Sequence, residues 1–487
     1  MASVKNKTEA LLAIPVLLLA AFSLFFMLGR PPAADWDESR HGVSAYEMVR
    51  SGDWIRNTYL GETEYWNLKP ALGFWLEAAS YKVFGFSTFA MRFPSALCAL
   101  FTVALWMLLA RRHFGPRTAL VAGFILATSF GFLAYHTGRS GDFDSPFCFF
   151  LSLSLYFLDS ALQKNRFFMP AAGFAFGLAL LVKSFAAAPF FLAMTFGLLL
   201  SEERKRLKPP DYLLYALAGA LPVLAWAYAR FHADGFAFFQ RMVSYDLLAR
   251  GGNALEGHPG VFLLHYLGGI IAYLFPWSLA AIAFLFYGNR MVRKSSNGKS
   301  GFSFEWNAFF RKPLFWTWFI VPFVFFNLSG TKLYWYLNPL YPFIALFTAW
   351  HFHELFREGN TPKGFWLFLR RAALPLGMIA LAACWTAIGL QIAGHDAAQD
   401  LTAKNPSRDR GANVPFCFEN TPPQSTAFSA EVIAGYQPVV LKREEFLKRA
   451  SRGWILFLTN TDENARFIAS NGLVPADSNP AYLLAEK

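Results

Sequence analysis

Residues 11–28 read LLAIPVLLLAAFSLFFML. None of these positions is charged, and Ser23 carries the one hydroxyl. An amphipathic helix of a soluble protein keeps a polar face, whereas a helix that is apolar all round belongs in a large core or a bilayer. About 20 such residues cross the ~30 Å hydrocarbon layer. Lys5 and Lys7 stand just before the run. A cleaved signal peptide has a shorter apolar stretch of about 7–15 residues, so this run reads as an uncleaved first membrane span.

The same reading extends along the chain. Of its 487 residues, 55% are hydrophobic and only 16% charged, against about 25% charged in soluble domains. Apolar blocks lie near 9–29, 88–110, 118–136, 146–162, 167–182, 185–201, 212–230, 261–288, 313–328, 334–350 and 372–393, which makes eleven expected spans, with Lys183-Ser184 as the turn between the fifth and sixth. The expected fold class is therefore an α-helical polytopic membrane protein. The net charge of +12 would point to nucleic acid in a soluble chain. Here the basic residues fall between spans, so membrane lipids are the expected partner and nucleic acid is not. Every second loop is basic: Arg111, Arg112 and Arg117; Lys164 and Arg166; Arg204 to Lys208; Arg290 to Lys312; Arg357 to Arg371. Loops rich in Lys and Arg stay cytoplasmic. The N-terminus is then cytoplasmic in a multi-pass plasma (inner) membrane protein, and residues 394–487 lie on the periplasmic or extracellular side. In that tail Val439-Val440-Leu441 and Trp454 to Leu458 read as strands and Arg443 to Ala450 as a helix, which predicts a small α/β domain. The expected domains are 1–393, with a first outer loop at 30–87, and 394–487. Cys98, Cys148 and Cys384 sit in apolar blocks, and no Cys/His spacing reads as a metal site.

Ionisable residues are costly in a bilayer and mark functional sites there. In this chain they gather at the outer span ends rather than mid-span, as suits an interfacial enzyme better than a transporter with a midplane site. Asp37 and Glu38 follow the first span. They either deprotonate or orient a hydroxyl acceptor or cap a helix that starts near Glu38. Trp54, Trp66 and Trp75 make either a sugar-stacking wall or an aromatic belt. Asp142 and Asp144, just after Arg139, either converge on one cation or sugar or stand as loop residues and helix caps. Lys69, Arg139, Lys183, Arg250, His258 and Lys332 are outer-face cations that suit a membrane-held phosphate or ordinary anionic headgroups. His258, beside Glu256, is either a metal ligand or a hydrogen-bonded loop residue. Tyr65, Trp66, His258 and Tyr336 are the candidate substrate contacts.

Together these motifs resemble a known family. Asp37-Glu38, Ser51-Gly52-Asp53-Trp54, Lys69-Pro70, Trp75-Leu76 and Arg92-Phe93-Pro94-Ser95-Ala96 look like the start of the GT-C membrane glycosyltransferases. They are similar above all to the bacterial aminoarabinose–lipid A transferases and the dolichyl-phosphate-mannose protein mannosyltransferases. Gly138-Arg139 to Pro146, Asp246 to Gly260, Pro276-Trp277 and Ser329 to Pro342 follow in matching order. The resemblance implies an inverting transferase with a polyprenyl-phosphate sugar as donor and lipid A, a glycan or a protein hydroxyl as acceptor. It implies Asp37 as the main catalytic acid, with Glu38, Asp142 and Asp144 as further catalytic candidates. Lys69, Arg139, Lys332 and Arg250 would contact the donor phosphate. No organic cofactor is implied, and a divalent metal is left open. Ala71 stands where a second Pro is common, and Leu68 where the aminoarabinose transferases carry Glu; these departures weaken lipid A as the acceptor and a metal at that Glu. The alternative reading is a polytopic transporter or lipid flippase, which would show mid-span charges and repeat symmetry.

Overall fold

A computed structural model describes residues 2–134, 136–249, 263–295, 311–357, 364–406 and 414–487. Arg250 and His258 lie outside the described residues. The chain divides into two compact units. A helical unit comprises Met1–Phe26, Asn67–Gly73 and Ser95–Gly389, and a mixed unit comprises Met27–Trp66, Phe74–Pro94 and Leu390–Lys487. The boundary read from the sequence follows chain order, whereas the units group the first outer loop with the tail.

Among the described residues of the chain, five helical stretches are long and apolar enough to cross a membrane: Thr88–Phe114, Asp144–Gln163, Arg166–Leu200, Pro209–Asp234 and Leu367–Ile392. Leu12–Phe25, Pro116–Ala127, Trp277–Phe286 and Pro313–Leu328 are shorter apolar helices. Pro116, Pro170, Pro189, Pro209, Pro313 and Pro342 each occupy one of the first two positions of a helix, where the missing N–H costs nothing. The stretch 166–200 is broken at a 3₁₀ turn, Ser184–Ala187, in which Ser184 takes φ 40°. The block near 261–288 is two helices, Leu264–Tyr273 and Trp277–Ser295, parted by Pro276. The block near 334–350 opens as a 3₁₀ segment, Tyr334–Leu340, before the helix Tyr341–Phe356.

Side-chain pairings give the directions of these helices. Phe101 meets Phe149 and Trp106 donates to Ser152, so 88–114 and 144–163 run parallel. Gly173 lies against Tyr215 and Gly177 against Gly219, so 169–183 and 209–234 also run parallel. Phe190 meets Trp318 and Gly197 meets Leu314, which makes 188–200 antiparallel to 313–328. Phe319 with Phe343 and Trp316 with Phe347 make 313–328 antiparallel to 341–356. The Gly173 and Gly177 contacts form a small-xxx-small seam, the means by which helices approach closely in lipid. On the 209–234 helix, Leu213, Leu217, Leu221, Leu224 and Tyr228 are all more than half exposed. Their 3–4-residue spacing puts them on one apolar face, as befits a lipid contact.

One end of this bundle is basic. There Arg112 and His113 meet Asp159, Arg166 pairs with Asp211 at 3.1 Å and Lys312 lies 3.8 Å from Glu203. The acids at 142 and 144 lie at the opposite end of the 88–114 and 144–163 helices, where Ser95 Oγ donates to the Asp142 carbonyl.

The mixed unit is built on a five-stranded sheet. A short hairpin, β1 (Thr58–Tyr59) and β2 (Glu62–Thr63), precedes it; its Leu60-Gly61 turn has φ 54° and 80°, as a tight hairpin turn requires. The sheet contains β3 (Pro415–Phe418), β4 (Gln437–Val440), β5 (Ile455–Thr459), β6 (Val474–Ser478) and β7 (Tyr482–Glu486), in the order β4-β3-β5-β7-β6. β3 is parallel to β4 and β5, while β7 is antiparallel to β5 and β6. Alternation along β3 sends Cys417 to a core with Phe446 and Ile468, and Phe416 and Phe418 to a second core with Ala430 and Tyr436. Both faces of the sheet are therefore covered, as parallel strands demand. The small α/β tail domain expected from the sequence is present. The helix Asp37–Ser51 packs on the Gln424–Phe428 helix, and Gly42 lies beneath the Phe428 ring, where a Cβ would come within 2.6 Å.

Candidate functional site

In the helical unit, four segments converge on the loop after the 130–133 turn. Asp142 and Asp144 are both 4% exposed. Asp144 opens its helix and accepts from Lys183 Nζ at 2.6 Å. Asp142 Oδ2 accepts from Ser140 Oγ at 2.6 Å and lies 2.8 Å from His136 Nδ1. His136 reaches it because its backbone is left-handed, φ 53°, a conformation His tolerates better than most residues. The imidazole stacks on Trp335, with centroids 4.1 Å apart. Trp335 follows Lys332, which is 8% exposed and donates to the Ser329 carbonyl at 2.8 Å. Phe143 packs on Gly73, where a Cβ would lie 2.4 Å from its ring, so the segment carrying half-buried Lys69 lies against the acid loop. Cations outnumber carboxylates here, which suits an anion held at headgroup depth. Among the described residues no group of three His, Cys, Asp or Glu is arranged as metal ligands.

Arg139 reaches the end of the first helix. Its Nη1 donates to the carbonyls of Ser23, Leu24 and Phe26 at 2.9–3.1 Å. These are the orphan acceptors at the end of the first helix, so Arg139 anchors that helix end. Tyr336 packs its ring 5.3 Å from Phe326.

In the mixed unit, Asp37 and Glu38 open the helix Asp37–Ser51, so the helix expected near Glu38 is there. Glu38 is 2% exposed and forms a two-point ion pair with Arg92, Nε to Oε1 at 2.6 Å and Nη2 to Oε2 at 2.9 Å. Arg92 also donates to the carbonyls of Leu28, Pro31 and Pro32. This pair holds the chain from Leu28 to Asp37 within the mixed unit. Asp37 is half-buried and follows Trp36, whose φ of 68° and ψ of −127° are strained for a bulky residue. One turn on, Arg40 pairs with Glu64 at 2.6 Å and lies over the rings of Tyr59 and Trp66. Trp66 thus belongs to a cationic–aromatic cluster with Trp36, next to half-buried Tyr65. Trp54 and Trp75 are tied to each other instead, by an indole donor to the Trp54 carbonyl at 2.6 Å, with Lys82 over the Trp54 ring.

Sequence reading did not single out His136 or Trp335. The signal for His136 was its place six residues before Asp142 in an apolar setting. Neither the left-handed turn nor the stacking on a residue 199 positions away is visible in a linear pattern.

Comparison with known proteins bears on these residues. A family model described as dolichyl-phosphate-mannose-protein mannosyltransferase matches residues 68–227. That segment includes Lys69, His136, Arg139, Asp142, Asp144 and Lys183. The undecaprenyl phosphate-alpha-4-amino-4-deoxy-L-arabinose arabinosyl transferase of Pseudomonas aeruginosa strain UCBPP-PA14 is 30% identical over 359 residues, covering 71% of this chain and 60% of that protein. An uncharacterized protein of Aquifex aeolicus strain VF5 is 30% identical over 345 residues, covering 70% of this chain and 63% of that one. The chain thus spans about three fifths of the length of these relatives. The crystal structure of ArnT from Cupriavidus metallidurans bound to undecaprenyl phosphate superposes with TM-score 0.71 at 17% identity, covering 97% of both chains. The archaeal oligosaccharyltransferase AglB of Archaeoglobus fulgidus, in complex with an inhibitory peptide and a dolichol-phosphate, follows with TM-score 0.53 at 12% identity, covering 91% of this chain and 65% of that one. The chain is an integral membrane protein with the GT-C fold, and its resemblance to the aminoarabinose and protein mannosyl transferases stands.

Proposed function

We propose that this chain is an inverting glycosyltransferase that moves a sugar from a polyprenyl-phosphate donor to a lipid, glycan or protein acceptor at the outer face of the membrane. The observation that carries the reading is the cluster of buried Asp142, Asp144 and Lys332 with half-buried His136 and Lys183, at the end of the helical unit away from its basic loops. All of these except Lys332 fall in the segment matched by the mannosyltransferase family model. The relatives named for undecaprenyl phosphate, and the solved structure that holds it, supply the donor class.

The donor already carries a good leaving group. The acceptor oxygen attacks the anomeric carbon on the face opposite the phosphate, the carbon–oxygen bond to the phosphate breaks, and polyprenyl phosphate leaves. Lys69 and Lys332 offset the charge that develops on it. Lys183 holds Asp144 and His136 holds Asp142, so the acids are fixed to bind sugar hydroxyls. The acceptor's proton passes to Asp37. That role rests on the sequence, on the position just after the first span and on the family resemblance. Arg139 holds the end of the first helix in the helical unit, and the Glu38–Arg92 pair holds the chain before Asp37 in the mixed unit.

The test is purified protein in proteoliposomes, supplied either with a sugar linked to undecaprenyl phosphate or with the matching nucleotide sugar. Transfer from the lipid-linked donor alone is expected, and direct transfer from the nucleotide sugar would overturn the reading. Mass spectrometry of lipids, glycans and proteins from cells with and without the chain identifies the acceptor by the class that loses a sugar.

A further inference from the structure

A cavity of the helical unit shares no residue with the acid cluster. It has a volume of about 520 Å³ and lies between the first turns of 116–127, the end of 341–356 and the first half of 365–392. Leu120, Val121, Phe124, Trp277, Gly377 and Met378 give it apolar walls. Its mouth is different. Arg117 and His353 line it, and His353 Nδ1 lies 3.0 Å from Thr118 Oγ1. Arg370 extends over the ring of Phe356, itself a wall residue, at 5.5 Å. Among the described residues, Glu354 lies 3.4 Å from Arg357. The mouth therefore presents two guanidinium groups at the basic end of the bundle. On the open side, Leu374 and Met378 are 73% and 58% exposed.

We propose that this cavity binds one anionic phospholipid of the surrounding leaflet, with its phosphate between Arg117 and Arg370 and one acyl chain along Val121, Phe124 and Gly377. The second chain stays in the bilayer beside Leu374 and Met378. Three observations select this occupant. An apolar trough with charge only at its mouth matches a molecule that is anionic at one end and apolar along the rest. Basic pockets between membrane helices recruit acidic headgroups. The open apolar side lets a two-chain lipid enter from the bilayer with one chain left outside. Gly377 keeps the trough clear: a Cβ there would only touch Phe124, at 3.4 Å, whereas a longer side chain would fill the channel. The proposal is independent of the transferase reading.

The experiment is native mass spectrometry of the delipidated full chain titrated with phosphatidylglycerol, phosphatidylcholine and undecaprenyl phosphate. One tightly held phosphatidylglycerol is expected, preferred over phosphatidylcholine by about tenfold or more. Gly377→Leu should abolish that retention. The pair Arg117→Gln and Arg370→Gln should remove the preference while leaving weak binding of either phospholipid. If Gly377→Leu lowers the yield of folded protein, Leu374→Trp on the exposed rim closes the same trough and should give the same loss. Equal retention of phosphatidylcholine, retention unchanged in the trough-filling variants, or displacement of the phospholipid by undecaprenyl phosphate would each overturn the assignment.

Discussion

Single substitutions test which charged residues serve the proposed chemistry and which hold the chain in place. Asp37→Asn is nearly isosteric and should leave membrane abundance unchanged while lowering kcat by ~10²–10⁴, the usual share of a general base. Lys332→Ala should instead raise the KM for the lipid-linked donor by about 10–100-fold, the value of a hydrogen bond to a charged group. Steady-state kinetics at matched abundance distinguish these outcomes, and near-normal turnover in Asp37→Asn would pass the proton-taking role to the Asp142 and Asp144 pair. Glu38→Ala should act on folding: it leaves Arg92, 3% exposed, as an unpaired buried cation, at a cost of about 3–5 kcal/mol. A melting temperature in detergent equal to that of the wild type would contradict it. Much of this was legible in the sequence. Asp37, Asp142, Asp144, Lys69 and Lys332 are conspicuous because charge is rare in so apolar a chain. The function of Glu38 was not, since its partner lies 54 residues away and nothing at position 38 names Arg92. The partners of Arg139 were hidden for the same reason: its charge was visible, but not the three carbonyls that its Nη1 meets.

At the scale of elements, the seam between 169–183 and 209–234 is the most demanding contact. A Cβ at Gly177 would come within 2.3 Å of the Gly219 carbonyl oxygen, and one at Gly173 within 2.0 Å of the Tyr215 carbonyl oxygen. Backbone cannot yield as a flexible side chain does. Gly177→Leu should therefore part the helices and cost at least ~1–3 kcal/mol, read as a lower melting temperature. Gly389→Ala, with nothing within 4 Å of its Cβ, is the control and should change little. The apolar blocks were readable because hydrophobicity is a local property. Their breaks were only partly so. Lys183-Ser184 announced a turn, whereas the parting at Pro276 was hidden inside one long apolar run, since a proline within a membrane helix kinks it as often as it ends it.

At the scale of the molecule, two expectations concern its surroundings. If the basic loops are cytoplasmic, a membrane-impermeant thiol reagent added outside should label Ser470→Cys, an exposed tail position, and not Arg206→Cys; the reverse pattern would invert the topology. The mixed unit should also respond to pH. Glu47 and Glu431 are buried and interact with each other, and a proton shared between them would relieve the repulsion of two carboxylates. Burial pushes both carboxyls above the usual range, and at Glu431 the charge of Glu47 adds to the rise. Groups raised in the folded state stabilise it fully below the ordinary carboxylate range, and that contribution is lost as pH rises through the raised values. Hydrogen-exchange protection factors in 37–51 and 424–433, which remove the intrinsic base catalysis of exchange, should accordingly fall from pH 5 to 9. Glu431→Gln, which donates at any pH, should flatten the trend, and a pH-independent wild type would refute the shared proton. Neither acid stood out in the sequence, because each is unremarkable until the other, 384 positions on, is brought beside it. The same unit joins residues that are made at very different times. Asp35 accepts from the Ser425 backbone across 390 positions, and Ala33 and Gln399 exchange hydrogen bonds across 366. At ~5–20 residues per second, the ribosome needs roughly 20–80 s to travel from one partner to the other. For that interval Gly42 and Glu47 have emerged without the surface that buries them, so the newly made loop must be shielded from proteases and from neighbouring chains until the last hundred or so residues arrive.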